Sequence, residues 1–185
     1  MNGHPSCCVW LTGLPGAGKS TIARQVESRL MVAGIRACVL DGDALRKGLC
    51  RDLGFSRFDR AENVRRVAQV ARILVDAGVV VITALISPYR DDRRKARELF
   101  GPDEFVEVFV RCPVEICERR DPKGLYRKAR TGELPRFTGI SDAYEGPEAP
   151  ELVVDTGALD EDAAAGMVLA FLAGRFDTRG GHPGS

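Results

Sequence analysis

The chain has 185 residues, 44% of them hydrophobic and 29% charged, which suits one globular domain with a sizeable core. Its formal net charge of +1 argues against a broad basic surface for nucleic acid. The longest apolar run, Val79 to Ile86, falls well short of the ~20 residues that span a bilayer, and no signal peptide is expected before Val9.

Met1 to Pro5 reads as a loose tail, and Cys7 to Thr12 as a continuous apolar strand buried on both faces. Gly13-Leu14-Pro15-Gly16-Ala17-Gly18-Lys19-Ser20-Thr21 follows at once. It spells Gly-x-x-x-x-Gly-Lys-Ser between a strand and a helix, the context in which that motif cradles a nucleoside triphosphate. Its glycines let backbone N–H groups curl around phosphate oxygens, and the positive end of the helix beginning near Gly18 faces the same anions. Lys19 is expected on the β- and γ-phosphates of that nucleotide, and the Ser20 hydroxyl on Mg²⁺. Ile22, Ala23, Val26 and Leu30 keep helical spacing until Gly34. Arg36 to Leu40 forms a second strand, ending in Asp41-Gly42-Asp43.

A short helix over 44–49 and a turn at Gly54-Phe55-Ser56 precede a strong helix from Arg60 to Ala77. Val64, Val67, Ala68, Ala71, Leu74 and Val75 should line its buried face, with Arg60, Glu62, Asn63, Arg65, Arg66 and Arg72 on the others. Val79 to Ile86 is a third strand, and Ser87-Pro88-Tyr89-Arg90 leads into a charged helix ending at Leu99. Phe105 to Val110 is a fourth strand, and Pro113 to Arg120 a helix with proline in its first turn. Residues 121–150 hold four prolines and four glycines and are expected to lack regular structure, the signature of a functional or disordered loop. Leu152 to Val154 is a fifth strand, Asp160 to Leu172 a closing helix, and Arg179 to Ser185 a disordered tail.

Five strand–helix units with continuous apolar strands predict an α/β fold of the P-loop NTPase type. It has three layers: a five-stranded parallel sheet with helices on both faces, carrying a mobile lid. A single domain over 1–185 is expected, with its core at 6–176, its lid at about 119–146, and flexible tails at 1–5 and 177–185. Ligands of such sheets sit at the carboxyl ends of the strands, so the distinctive residues should converge on one rim.

Asp41 and Asp43 would lie across that rim from the phosphate loop. A carboxylate there can orient an acceptor hydroxyl or hold Mg²⁺; turn-forming aspartates or a helix N-cap before Ala44 give the same pattern. Arg46, Arg60 and Asn63 around Phe55 suit a ligand with both an anionic group and a flat base, although solvated arginines and a core phenylalanine also fit. The basic segment Arg119 to Lys128 has the composition of a lid that excludes water, or of a solvated loop. The only histidines, His4 and His182, lie in the tails, so acid–base work falls to a carboxylate, Lys or Tyr. Six cysteines without metal-type spacing read as reduced thiols of a cytoplasmic protein. No strand ends in the Asp-Glu pair of mechanical ATPases, which favours a small-molecule kinase.

GLPGAGKST, LDGDALRKGLCRDLGFSRFDRAENVRR, ALISPYRDDR and CERRDPKGLYRKARTGELPRFTGISDAYEGPEAPEL together cover most of Val9 to Thr156. In content, order and spacing they resemble the adenylylsulfate kinase (APS kinase) family. The resemblance implies transfer of the γ-phosphate of MgATP to the 3′-hydroxyl of adenosine 5′-phosphosulfate (APS), giving 3′-phosphoadenosine 5′-phosphosulfate (PAPS) and ADP. It implies that Arg46, Arg60 and Asn63 hold the phosphosulfate side of APS and that Phe55 and Phe137 flank its adenine. Asp43 would stand near the reacting hydroxyl, Lys123 would be the lid lysine, and Ile86 and Ser87 would be substrate-side, Ser87 matching a serine phosphorylated in some members. Lys19, Asp43, Ser87 and Lys123 are therefore the expected catalytic set; Gly13 to Thr21 and Arg120 would serve ATP. A homodimer, and association or fusion with ATP sulfurylase, are further implications. Ala44, Cys50 and Pro15 depart from the common pattern. The alternatives are a kinase of another small acceptor (a nucleoside, sugar acid or antibiotic) or a non-catalytic nucleotide-sensing partner.

Overall fold

The strand residues alternate between two cores, and that alternation builds the layers. In a computed structural model describing residues 6–180, β1 (Cys8–Thr12) is buried at every position. Val9 and Leu11 point into one apolar cluster with Ile22, Val26, Ala164 and Val168. Cys8 and Trp10 point into another with Val64, Val67, Ala71 and Val75. A strand covered on both sides has no polar face to offer, so the apolar run is continuous.

Around β1 stand β2 (Ala37–Asp41), β3 (Val80–Ala84), β4 (Phe105–Arg111) and β5 (Leu152–Asp155), in the order β2-β3-β1-β4-β5. All four pairings are parallel. Helices α1 (Lys19–Val32) and α7 (Glu161–Gly180) pack on the first face, α3 (Arg57–Asp76) and α4 (Arg90–Arg97) on the second. The shorter α2 (Gly42–Lys47), α5 (Val114–Arg120) and α6 (Leu125–Arg130) line the rim. The expected three-layer parallel α/β fold is the one observed, and no helix among the described residues is long and apolar enough to cross a membrane. All six cysteines are thiols, five of them buried.

Several local expectations need correction. α3 starts at Arg57, because Ser56 and Asp59 form a reciprocal capping box. Arg60 and Asn63 lie on its buried stripe, not a polar face, only 7% and 6% exposed. α2 begins at Gly42, one residue after its cap Asp41, and Pro113 is the N-cap of α5 rather than part of its first turn. Residues 121–150 are not wholly irregular: Leu125–Arg130 is helical. α7 continues to Gly180, through part of the tail expected from 177. Residues 1–5 and 181–185, with His4 and His182, lie outside the described residues.

Candidate active site

Backbone geometry accounts for the first glycine of the phosphate loop. Gly13 has φ 153°, and a Cβ there would lie 2.4 Å from the Val110 carbonyl oxygen of β4, so no larger residue fits. Gly18 caps α1 in the left-handed region (φ 95°) with no side-chain cap, leaving first-turn N–H groups directed at the loop. Thr156 buttresses the loop from β5, its hydroxyl donating to Ala17 O at 2.9 Å, while Arg120 Nη2 donates to Thr156 O at 2.6 Å.

Lys19 is folded back into its own loop. Its Nζ donates to Gly13 O (2.8 Å) and Leu14 O (2.7 Å), and burial lowers its pKa to about 8, against opposing contributions that include Asp43 and Asp41. Ser20 Oγ donates to Asp41 Oδ2 at 2.6 Å. Asp41 Oδ1 meanwhile accepts from the N–H groups of Asp43 (3.0 Å) and Ala44 (3.2 Å). Burial alone would raise the Asp41 carboxyl, but the Ser20 hydroxyl and those two N–H groups hold it below its ordinary value. Paired oxygens of Ser20 and Asp41 are the hard donor set Mg²⁺ takes when most of its ligands are water and phosphate. Among the described residues no cluster of three His, Cys, Asp or Glu could cage a metal without such help.

The residues expected on the acceptor side make the following contacts. Arg46 lies over the Phe55 ring at 4.3 Å and donates to Leu53 O and Gly54 O. Arg60 donates from Nε to Phe55 O (3.1 Å) and from Nη2 to Arg136 O (2.8 Å). Phe55, supported by these two guanidinium groups, stays 56% exposed. The side-chain nitrogen of Asn63 is buried with no hydrogen-bond partner, a cost that a native site rarely carries without a use for the donor. Phe137 meets Tyr126 edge-on, with centroids 4.9 Å apart. Phe55 and Phe137 do not touch; Arg60 links their segments through Phe55 O and Arg136 O. Lys123 completes the ring of residues, its Nζ ion-paired with Asp43.

Ser87 is placed differently from the rest. It is only 4% exposed, has φ 38°, and its Oγ accepts from Trp10 Nε1 at 3.1 Å. Its hydroxyl is thus buried against the Trp10 indole. The adjoining Ile86 offers its carbonyl to Thr12 Oγ1 at 2.8 Å. Arg93, which sequence reasoning missed, is 2% exposed and donates to Ser87 O, Glu145 O and Glu107 Oε1. It thereby ties Glu145 to the segment after β3 and to Glu107 of β4. Its helical spacing from Arg90 and Arg97 gave no sign of burial. Tyr144 was missed too; its phenol shares a 3.0 Å hydrogen bond with Thr12, and burial raises its pKa to about 12. A cleft of about 550 Å³ lies beside α4, but its arginines are matched by carboxylates (Arg93 with Glu107, Arg97 with Glu151, Arg94 with Asp91), so it has no net charge to offer an anion.

A sequence model of the adenylylsulphate kinase family matches residues 5–155. The chain belongs to the adenylylsulphate kinase family. It is 53% identical over 174 residues to an adenylyl-sulfate kinase of Geotalea uraniireducens, covering 94% of this chain and 84% of that one. A probable adenylyl-sulfate kinase of Bacillus subtilis is 54% identical over 171 residues, 92% and 87% of the two chains. Among solved structures, the Mycobacterium tuberculosis APS kinase in complex with AMPPNP and APS superposes with TM-score 0.88 at 48% identity, covering 91% of this chain and 98% of that one. A gluconokinase of Sinorhizobium meliloti, at 20% identity and TM-score 0.62, shares the fold alone.

Pro15, Ala44 and Cys50, the positions read as departures from the family's common pattern, differ in their surroundings. Pro15 contributes its carbonyl, which accepts from Tyr126 Oη at 2.9 Å. Ala44 is exposed and contributes its backbone N–H to Asp41. Cys50 is fully buried.

Proposed function

We propose that this protein transfers the γ-phosphate of ATP to the 3′-hydroxyl of APS, giving PAPS and ADP. The structural observation that carries the reading is the Lys123–Asp43 pair, which joins the expected lid to the expected acceptor side, both charges near enough to act on Lys19. Donor-side and acceptor-side groups thus meet at one point. Both members are more than half exposed, so the pair is weak and readily exchanged.

On this reading Lys19 leaves the Gly13 and Leu14 carbonyls for the β- and γ-phosphates, and Lys123 leaves Asp43 for the transferring group. The freed Asp43 carboxylate orients the 3′-hydroxyl. The new O3′–P bond forms as the bond to the β,γ-bridging oxygen breaks; that oxygen departs with ADP, and the hydroxyl proton passes late to Asp43. Ser20 and Asp41 would hold Mg²⁺, which neutralises charge on the β- and γ-oxygens. Arg46, Arg60 and Asn63 take the phosphosulfate side, Phe55 and Phe137 the adenine of APS, and Ile86 and Ser87 the substrate-side wall. Gly13 to Thr21 cradle the phosphates of ATP, and Arg120, held by Thr156 O, lies towards its adenine. The burial of Ser87 supports direct in-line transfer over a phosphoserine route.

A single domain with a moving lid over about 119–146, a homodimer in the cytoplasm, and association with ATP sulfurylase belong to the same proposal; light scattering would test the dimer. Incubation with MgATP and APS, against a panel of nucleoside and sugar-acid acceptors, tests the activity. APS-dependent release of ADP with formation of PAPS is expected, and ADP release that ignores APS would overturn the assignment.

A further inference from the structure

α6 has six residues and one buried side chain, Tyr126. A helix this short does not hold itself together in water, so its position depends on how that side chain is anchored. Tyr126 is 1% exposed. Its Oη donates to Pro15 O in the phosphate loop at 2.9 Å, and its ring meets the edge of Phe137 at 4.9 Å and 79°. Its own N–H donates to Asp121 Oδ1 at 3.1 Å, on the turn that carries Lys123. A second contact follows the same line: a Cβ on Gly139 would lie 2.9 Å from Leu14 Cδ2, so the chain after Phe137 rests directly on the phosphate loop.

We propose that Tyr126 is a positioning residue that couples the phosphate loop to the acceptor pocket, so that nucleotide and APS do not bind independently. The inference rests on APS being the acceptor. A shift of the Pro15 carbonyl on nucleotide binding moves the Tyr126 hydroxyl, and close-packed rings pass that shift to Phe137 rather than absorb it. Lys123 moves with the same turn. Burial raises the phenol's pKa, so it remains a donor throughout the working pH range. Reciprocity requires the effect to run both ways: APS must alter nucleotide affinity by the factor by which nucleotide alters APS affinity.

The hydroxyl separates this role from core filling, since Tyr126→Phe keeps the ring and its packing. Calorimetry gives the dissociation constant of APS alone and with saturating MgAMPPNP, for wild-type protein and Y126F. One backbone hydrogen bond of this kind supports a ratio of roughly 3- to 10-fold. The wild-type ratio should depart from one by about that factor, and Y126F should bring it within about twofold of one. A ratio unchanged in Y126F, or equal to one in the wild type, overturns the proposal. Should Y126F fail to fold, Phe137→Leu breaks the other contact; the ratio cancels its direct effect on APS affinity, and an unchanged ratio there overturns the proposal equally. Wild-type protein that binds MgAMPPNP but not APS would instead remove the acceptor assignment, and the coupling with it.

Discussion

Asp41 has two jobs on two oxygens, and substitution can take them apart. Oδ1 caps α2 through the N–H groups of Asp43 and Ala44, while Oδ2 accepts the Ser20 hydroxyl at 2.6 Å. Asparagine caps helices about as well as aspartate, so Asp41→Asn keeps the first job and leaves stability nearly unchanged. It reverses the second: an amide NH₂ now faces Ser20 and donates to it, turning the hydroxyl and removing the carboxylate charge beside the Mg²⁺ site. Whether Asp41 would touch the ion or act through Ser20, losing its carboxylate should cost at least the roughly 10- to 100-fold in metal affinity typical of an outer partner, so the Mg²⁺ concentration for half-maximal ADP release should rise by at least about tenfold. Asp41→Ala should repeat the Mg²⁺ effect and add loss of the cap, about 1 kcal/mol, or roughly 2–4 °C in Tm for a chain of this size. Mg²⁺ titration of the coupled assay and thermal melts of both variants decide the matter. Wild-type Mg²⁺ dependence in D41N would refute the metal role; equal melting of D41A and D41N would refute the cap.

The lowered pKa of Lys19, about 8 in the folded protein against roughly 10.4 for a free lysine, makes nucleotide binding pH-dependent. Between those values the unfolded chain holds more protons, so this group's contribution to stability rises with pH across that window; phosphate binding restores the charge and reverses the shift. Nucleotide binding at pH 8.5 should therefore take up protons, and at pH 6.5 should not. Calorimetry in buffers of different ionisation enthalpy would show this, and uptake that persists in Lys19→Ala would refute it. Ser87→Ala should retain most of its turnover, with a stability loss of about 1–3 kcal/mol from the stranded Trp10 N–H; abolished turnover with APS still bound would restore the phosphoserine route. Asn63→Leu removes an unsatisfied buried donor, so the free protein should melt about 2–4 °C higher while the KM for APS rises at least tenfold. A lower Tm with an unchanged KM would count against both roles.

The parallel sheet was legible because the strands are dominated by apolar residues, interrupted inside β4 only by Glu107, and the phosphate loop because its glycines are required by the backbone. Boundaries were less legible. Arg60 and Asn63 were assigned to the outer faces because their side chains are polar, although their spacing puts them on the same helical stripe as Val64, Val67 and Ala71. α6 escaped notice because one buried residue makes no periodicity; Gly124 before it, in the left-handed region, was the available sign. The folded-back Lys19, the pairing of Ser20 with Asp41 and the hydrogen bonds of Arg93 join residues far apart in sequence, and no local pattern encodes them.

Those long-range contacts also explain how one fold serves many acceptors. The donor half is fixed by backbone requirements: Gly13 against Val110 O, Gly16 against Cys117 O, Thr156 against Ala17 O. The acceptor half rests on exchangeable side chains, which leave Phe55 exposed and the Asn63 nitrogen without a partner. An unpaired buried amide is destabilising in the free protein and useful only to a ligand that satisfies it. Acceptor identity should therefore change by replacing Arg46, Phe55, Arg60, Asn63 and Phe137 while the loop and its supports stay as they are.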